Sequence, residues 1–361
     1  MTTTPIRPSA APARSPADVA RRPVARTAVT VVVLGGLLVA SALVAVGFGP
    51  AAIAPSDVAA TVWAHLTGGQ PVLSPTEDAI VWQLRVPRVL TAALVGGGLA
   101  LCGAVMQALT RNPLADPYLL GLSSGASTGA VIVLVLGVAI ALPVAAFAGA
   151  IVALLLTFAI GRAGGRSSPT SLILAGLAVS AVLSALTSLT IFWSATNDSY
   201  REILGWLLGS LAGAQWPDVL LVAVVATVCA VPLLGAARTL DGFALGDTAA
   251  TALGIPVERL RLALFAVCAL LTGALVAVSG AIGFVGLILP HATRAIVGVR
   301  HRALLPTTFL AGALFLLWAD TIARTAFDPR ELPVGIVTAL IGGPVFAVLL
   351  TRVRRERRGR R

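Results

Sequence analysis

The sequence predicts an all-α protein that crosses a membrane ten times. Of its 361 residues, 57% are hydrophobic and only 11% are charged, whereas a soluble domain carries about 25% charged residues. The apolar residues form separate runs of about 20, the length that a helix with a rise of 1.5 Å per residue needs to cross a bilayer. Most of the arginines lie at the ends of these runs that ten successive crossings would place on one and the same side of the membrane, as the positive-inside rule requires.

The first half of the chain contributes five spans. Residues 1–26 are rich in Pro, Ala, Ser and Arg and predict a disordered cytoplasmic tail. The uncharged run 27–49 predicts the first span. Ala40-Ser41-Ala42 resembles a signal-peptidase site, but a secretory apolar region is usually shorter, about 7–15 residues, so we expect this span to be retained. A loop over 50–84 follows, and the next spans are 86–110, one starting near 118–123, 142–161 and 170–193.

The second half contributes the other five. Residues 197–215 are amphipathic and too polar to span, and they predict an interfacial helix or hairpin. A polar segment of about 24 residues separates the sixth and seventh spans. The predicted spans are 217–236, 262–280, 281–297, 304–326 and 333–351, which makes 27–351 the membrane domain and 352–361 a basic cytoplasmic tail.

The second span is expected to be central to the bundle. It carries Gly96, Gly97, Gly98 and Gly103. Glycine destabilises a helix in water but lets helices approach closely in lipid. A helix that faces only lipid has no need of four glycines, so this one is predicted to lie near a transport pathway.

The arginines set the orientation. With both termini cytoplasmic, 21 of the 26 arginines lie inside and five outside, namely Arg85, Arg88, Arg201, Arg324 and Arg330. This partition obeys the positive-inside rule and predicts a multi-pass protein of the cell membrane. The net charge of +11 therefore reflects membrane orientation, and no nucleic-acid partner is expected because the charge lies in loops and tails.

Several classes of chemistry are disfavoured. The sequence has no GxxxxGK[ST], HExxH or GxSxG motif, and its three cysteines fall in apolar runs without metal spacing. We therefore expect no enzyme activity, cofactor or metal. An ion-coupled secondary transporter would carry ionisable residues at mid-membrane, but every carboxylate here is predicted to lie in a loop or at a span end. Coupling to a partner protein is favoured over ion coupling, and a purely structural scaffold remains a third alternative.

Four long stretches carry a family resemblance. They are LRVPRVLTAALVGGGLALCGAVMQALTRNPLADPYLLGLSSGAS, ALGDTAATALGIP, SGAIGFVGLILPHATR and WADTIARTAFDPRELPVGIVTALIGGPVF. They resemble, in order and spacing, the FecCD family of membrane subunits of iron-siderophore, haem and vitamin B12 ABC importers. The resemblance implies a vitamin B12-importer-type permease of ten helices that pairs with a second copy or a paralogue. It also implies separate ATPase subunits inside and a substrate-binding protein outside.

The resemblance assigns a docking role to three arginines. Arg85, Arg88 and Arg324 match family positions that meet acidic residues of the binding protein. A guanidinium can bind a carboxylate through two hydrogen bonds and guide association. The alternative is that each arginine simply anchors a span end at the membrane surface.

The resemblance also assigns a coupling segment and gates. Residues 243–258 match the family's short cytoplasmic helices that seat in the ATPase; the alternative is an ordinary loop between spans. The matching coupling residues are Leu245, Gly246, Asp247, Ala250, Leu253, Gly254, Ile255 and Pro256. Gate positions, with helix capping as the equal alternative, are Ser168, Pro169, Thr170, Ser194 and Asn197.

The expected substrate is a ferric siderophore, with haem or cobalamin as the alternative. His291 belongs to the motif LILPHATR at the inner end of the eighth span. We interpret it as part of a kinked helix end, with Arg294 as an anchor. The alternative role of metal ligand is disfavoured because no second ligand lies near in sequence.

Overall fold

The computed structural model describes residues 16–49, 51, 53–137, 141–163, 168–194, 197–327 and 330–358, and every regular element in these ranges is helical. The helices are α1 (Pro16–Gly47), α2 (Pro55–Thr67), α3 (Pro75–Ala79), α4 (Val86–Thr110), α5 (Leu122–Leu136), α6 (Leu142–Arg162), α7 (Pro169–Ser194), α8 (Asn197–Leu207), α9 (Trp216–Gly235), α10 (Ala237–Ala244), α11 (Asp247–Ala252), α12 (Val257–Ser279), α13 (Val285–Val297), α14 (His301–Thr325) and α15 (Val334–Arg358). A π-helical turn, Ile80–Arg85, joins α3 to α4, and a 3₁₀ turn, Pro117–Leu120, precedes α5.

The apolar helices coincide with the predicted spans. Within the described ranges, seven helices are long and apolar enough to cross a membrane alone. Three shorter apolar helices, Leu122–Leu136, Val285–Val297 and Val334–Val348, lie where the third, eighth and tenth spans were predicted. The prediction of an all-α polytopic membrane protein is confirmed. The stretch predicted as the loop 50–84 is more ordered than expected, since it contains α2 and α3.

The two ends of the chain differ from the prediction. Helix α1 starts at Pro16, inside the stretch predicted to be a disordered tail, and α15 runs to Arg358, inside the predicted basic tail. Alanine and arginine are good helix formers, so these stretches extend an apolar helix that has already been nucleated. Residues 1–15 and 359–361 lie outside the described residues, where the predicted tails stay predictions.

Helix α4 lies at the centre of the bundle. The segment Pro75–Thr110, which contains it, is 83% buried over its most apolar window, compared with 17% for the first span. A Cβ atom added to Gly96 would meet the backbone of Gly312 in α14, and one added to Gly103 would overlap Gly286 in α13. The glycines of α4 therefore permit the close backbone contact that the sequence predicted.

A second group of helices packs on this centre. Helices α5, α6 and α7 contact one another, and α12 joins them to α4 because it packs against both α4 and α6. Small residues again form the contact between α5 and α6: a Cβ on Gly125 would meet Gly149, and one on Gly129 would meet Ala145.

Helices α5 and α13 begin inside the protein. With 15 and 13 residues they measure about 22 and 20 Å, less than the roughly 30 Å of a hydrocarbon core. The residues before them, Gly121 and Phe284, have φ angles of 80° and 69°. Tyr118, in the 3₁₀ turn before α5, links this turn to the non-helical stretch before α13, because its hydroxyl donates to the Ile282 carbonyl at 2.9 Å and accepts from the Ile282 amide at 3.2 Å. Such partners are what non-helical backbone requires inside a membrane protein.

Candidate docking and coupling sites

The three predicted docking arginines lie at one end of the bundle, where α1 and α14 finish and α4 starts. We call this the outer end, after the predicted orientation. Arg85, Arg88 and Arg324 are only 6%, 8% and 7% exposed. Their guanidinium groups are therefore bonded within the chain in this conformation, and they do not project freely from the surface.

Two of these arginines cap α1. Arg85 Nη1 donates to the carbonyls of Val46 and Gly47 at 3.0 and 3.2 Å, and Arg324 Nη2 donates to that of Ala45 at 2.6 Å. The last carbonyls of a helix have no partner within it, and positive charge is favoured beside them. The two arginines therefore tie the end of α1 to α4 and α14.

Arg88 forms a buried ion pair. Its Nε and Nη2 atoms donate to the two carboxylate oxygens of Asp320 at 2.9 and 3.0 Å, and its Nη1 donates to Glu331 at 2.7 Å. Asp320 is 1% exposed, whereas the side chain of Glu331 is 46% exposed. Asp320 lies in α14 one turn before Arg324, so it belongs to the outer end of its span as predicted, but its side chain is buried among the helices. A carboxylate flanked by apolar residues needs such a partner, and that was the signal for it.

The opposite, inner end carries the predicted coupling segment. Residues 243–258 comprise the last two residues of α10, the whole of α11 and the start of α12. Gly246 precedes α11 with a φ angle of 98°, and Gly254 follows it with a φ angle of 80°. Both angles favour glycine over any other residue. Ala250 is fully buried, whereas Leu245 and Leu253 are each 66% exposed. The segment is thus held to the bundle on one side and presents two leucines on the other.

Asp247 lies between two arginines. Its Oδ1 accepts from Arg261 Nη2 at 2.7 Å and lies 3.4 Å from Arg111 Nη2. The hydrogen bond from Arg261 and the two nearby positive charges lower the pKa of Asp247. The Arg261 guanidinium also lies 5.4 Å from the ring centroid of Phe243. These contacts tie α11 to α12 and to the end of α4, which Arg111 caps with φ 51°.

The loop after α4 is fixed by further polar contacts that sequence reasoning missed. Asp116 accepts from the Tyr118 amide at 2.8 Å, and burial raises the pKa of Asp116 to about 6. In α4, Gln107 donates to the carbonyls of Gly286 and Leu287 and accepts from Arg294 at 2.6 Å. A single amide within an apolar span was the signal for this last contact, because a buried amide requires partners.

The inner gate candidates lie beside the coupling segment. Ser168 and Pro169 line a cavity of about 520 Å³ together with Asp247, Ile255 and Pro256. Ser168 and Ser171 also accept hydrogen bonds from each other's amides at 3.0 Å, which is the pattern of a helix cap.

The remaining gate candidates lie in the first turn of α7, at its last residue and at the start of α8. Thr170 is exposed in the first turn of α7. Ser194 ends α7 and Asn197 begins α8, but their side chains lie outside the described part of the structure.

The described residues contain no group of three or more His, Cys, Asp or Glu side chains placed to hold a metal ion. His291 lies in α13 and is half-buried. Cys102, Cys229 and Cys268 are all buried and unlinked.

A bundle of apolar helices with a glycine-rich centre and a pair of short helices at one end is the architecture of a polytopic membrane protein. The model of the FecCD transport family matches residues 37–352, and the chain belongs to this family. It is the permease subunit of an ABC importer, a transport component rather than an enzyme.

Individual relatives differ in what they are named for. The chain is 45% identical to the cobalamin import system permease of Halobacterium salinarum, over 76% of this chain and 74% of that one. It is 42% identical to the hemin transport permease of Yersinia pestis, over 79% and 87%, and 36% identical to the molybdate import permease of Haemophilus influenzae, over 88% and 94%. Among solved structures, an inward-facing metal-chelate type ABC transporter matches with a TM-score of 0.79 and 35% identity, over 89% of this chain and 98% of that one.

Proposed function

We propose that this permease imports ferric siderophores that a substrate-binding protein delivers and that separate ATPase subunits drive inward. The likeness to a metal-chelate type transporter over 89% of the chain is the observation that supports a chelate as substrate. Cobalamin and haem are the second candidates, favoured by the relatives named for them. All three are bulky metal complexes, which separates them from the molybdate of the third relative.

The substrate is tested in proteoliposomes that hold the permease and its ATPase, with ATP trapped inside and the binding protein outside. We expect labelled ferric siderophore to accumulate, and haem and cobalamin not to. Accumulation of cobalamin or haem alone would assign the alternative substrate. Uptake that persists without ATP and stops with an ionophore would instead indicate an ion-coupled transporter.

The ion pair between Asp320 and Arg88 supports coupling to a partner protein over coupling to an ion. A proton- or sodium-coupled carrier needs a carboxylate that can take up and release its ion. Asp320 is buried in α14, but its two oxygens are held by the permanently charged Arg88. We therefore assign energy coupling to the segment 243–258, where Leu245 and Leu253 would seat in an ATPase subunit. Ser168, Pro169 and Thr170 would form the inner gate beside it, and Ser194 and Asn197 the outer gate.

Docking of the binding protein is assigned to Arg85, Arg88 and Arg324. The three guanidinium groups outnumber the carboxylates of Asp320 and Glu331, so the cluster carries a net positive charge. Glu331 is the more exposed acid, and a carboxylate of the binding protein could take its place on Arg88 Nη1. Docking would then exchange one carboxylate for another on a guanidinium that is already oriented.

The docking proposal predicts that the double variant Arg88→Gln/Asp320→Asn binds its substrate-binding protein more weakly by one to a few powers of ten. This variant keeps a hydrogen-bonding pair of similar size but removes the guanidinium that the partner's carboxylate would bind, so folding is preserved better than by Arg88→Glu. Because it removes one positive and one negative charge, the net charge of the cluster is unchanged, and the loss should depend little on salt. Binding to the reconstituted complex at two salt concentrations measures it.

Arg201→Gln is the matched control, because Arg201 is exposed in α8 and has no assigned docking role. We expect its affinity to change by less than about fivefold. Equal affinities for the wild type, the double variant and Arg201→Gln would leave Arg88 with only its structural role.

We further propose that the permease works as a pair, either with a second copy or with a paralogue. Helix α7 supports this, since it leaves a row of large apolar side chains exposed: Leu174, Leu177, Val182, Leu189, Phe192 and Trp193. Lipid would cover the same row in a lone subunit. The subunit mass in detergent, measured by light scattering, distinguishes the two.

The orientation is predicted to place both termini in the cytoplasm. Single cysteines at Glu77 and Arg201, in a background without the native cysteines, should react with an impermeant thiol reagent added outside intact cells. Cysteines at Asp247 and Leu253 should react only after permeabilisation. Outside labelling of Leu253 would contradict ten spans, because the sixth span would have to run the other way.

A further inference from the structure

A large cavity at the inner end has no role in the functions proposed above. It measures about 890 Å³ and lies where α1 passes the end of α13 and the start of α14. Its lining residues include four arginines, Arg26, Arg294, Arg300 and Arg302, together with apolar residues such as Ile296. No carboxylate is among the lining residues that the structure describes.

Two of these arginines are held in place and two are free to bind. Arg294 donates to Gln107 at 2.6 Å, and Arg26 donates to the Ile296 carbonyl at 3.3 Å. Arg300 and Arg302 are exposed and, among the described residues, form no ion pair. Four like charges around one space repel one another and attract an anion. Planar guanidinium groups are well suited to the oxygens of a phosphate.

The position of the cavity favours a lipid phosphate. Arg26 immediately precedes the uncharged run of the first span, and Arg294 lies in the last turn of α13, so both lie at the level of the membrane surface. The neighbouring wall of α1 is lipid-facing, since Val29, Val32 and Val33 are 62%, 73% and 60% exposed. Ile296 is 55% exposed as well. A lipid whose phosphate lies at the arginines and whose acyl chains lie along the exposed valines of α1 would contact both the positive charge and the apolar surface.

We propose that this cavity binds the headgroup of one anionic phospholipid from the inner leaflet, with its acyl chains along α1. The site depends on the predicted orientation but not on which substrate is transported. Its chemistry is that of basic pockets between membrane helices, which hold anionic headgroups on the cytoplasmic side. The lipid would fill the gap between α1 and the α13–α14 turn.

The test uses the full-length chain in nanodiscs of equal parts phosphatidylcholine and phosphatidylglycerol, extracted into mild detergent and weighed by native mass spectrometry. We expect one retained phosphatidylglycerol per chain. The triple variant Arg26→Gln/Arg300→Gln/Arg302→Gln should lower its affinity by on the order of a hundredfold, since each arginine near an anionic surface contributes about fivefold. Arg162→Gln is the matched control, because Arg162 is exposed at the end of α6 and lies outside the cavity lining.

Four outcomes would overturn the proposal. Equal retention of phosphatidylcholine would show that the arginines do not select a charged headgroup. Displacement of the lipid by inorganic phosphate alone would identify a site for the free anion. Loss of the lipid when the ATPase subunits assemble would identify the cavity as part of the ATPase interface. Retention in the triple variant equal to that of Arg162→Gln would also contradict it.

Discussion

Replacing Leu253 with aspartate is expected to reduce ATP-driven transport at least tenfold while the permease still folds and inserts. Leu253 is 66% exposed at the end of α11, so its side chain contributes little to the packing of the isolated subunit. If it seats in an apolar groove of the ATPase, a carboxylate there must lose its hydration without gaining a partner, at several kcal/mol. Transport in proteoliposomes and co-purification of the ATPase measure the effect.

The control for this variant is Leu253→Met, which keeps the apolar surface and should transport normally. Gly254→Pro is expected to behave like Leu253→Asp for a different reason. Gly254 has a φ angle of 80°, whereas the proline ring holds φ near −65°. The turn between α11 and α12 would then have to change its angle. Normal transport by both Leu253→Asp and Gly254→Pro would remove the coupling role from this segment.

Much of the fold could be predicted because membrane insertion is encoded locally. Each apolar run predicts one membrane span from its own residues, and the arginines at its ends predict the direction in which that span crosses the membrane. The glycines of α4 likewise indicated a crowded helix before any neighbour was known. Their contact partners, Gly286 and Gly312, could not be named, because helix pairing depends on the whole bundle.

The internal starts of α5 and α13 illustrate what local patterns leave out. Both were predicted as spans, but the sequence did not indicate that each begins after buried backbone that is not α-helical. The contact that permits this joins Tyr118 to Ile282, 164 residues apart. A hydropathy average over a window of residues does not detect such a break in an α-helix. The hydrogen bonds that satisfy the backbone at the break come from residues distant in sequence.

The candidate sites show the same division. Family resemblance located the candidate docking arginines and the candidate coupling segment, since each lies in a contiguous motif. The residues that hold them, Asp320 for Arg88 and Arg111 and Arg261 for Asp247, come from other parts of the chain. Only the structure brought these partners together, and it showed that the candidate docking arginines are buried.

The buried pair of Arg88 and Asp320 gives the largest expected effect on stability. Asp320→Ala should lower the free energy of unfolding by about 3–5 kcal/mol, because it leaves a buried guanidinium with only the half-exposed Glu331 as its acid partner. Thermal unfolding of the purified permease in detergent, followed at constant lipid and salt, measures the loss.

Glu331→Gln is the matched control, because it removes the other carboxylate from the same guanidinium but at a more exposed position. An exposed pair contributes about 0–1 kcal/mol, so its unfolding temperature should change little. The double variant Arg88→Leu/Asp320→Leu should recover most of the loss, since apolar residues of similar volume can replace a buried ion pair. Equal losses in the free energy of unfolding for Asp320→Ala and Glu331→Gln would contradict the argument. The loss would then depend only on removing a carboxylate and not on how deeply that carboxylate is buried. Recovery in the double variant without recovery of binding-protein docking would separate the two roles of Arg88: the fold requires only that its charge be compensated or absent, whereas docking requires the charge itself.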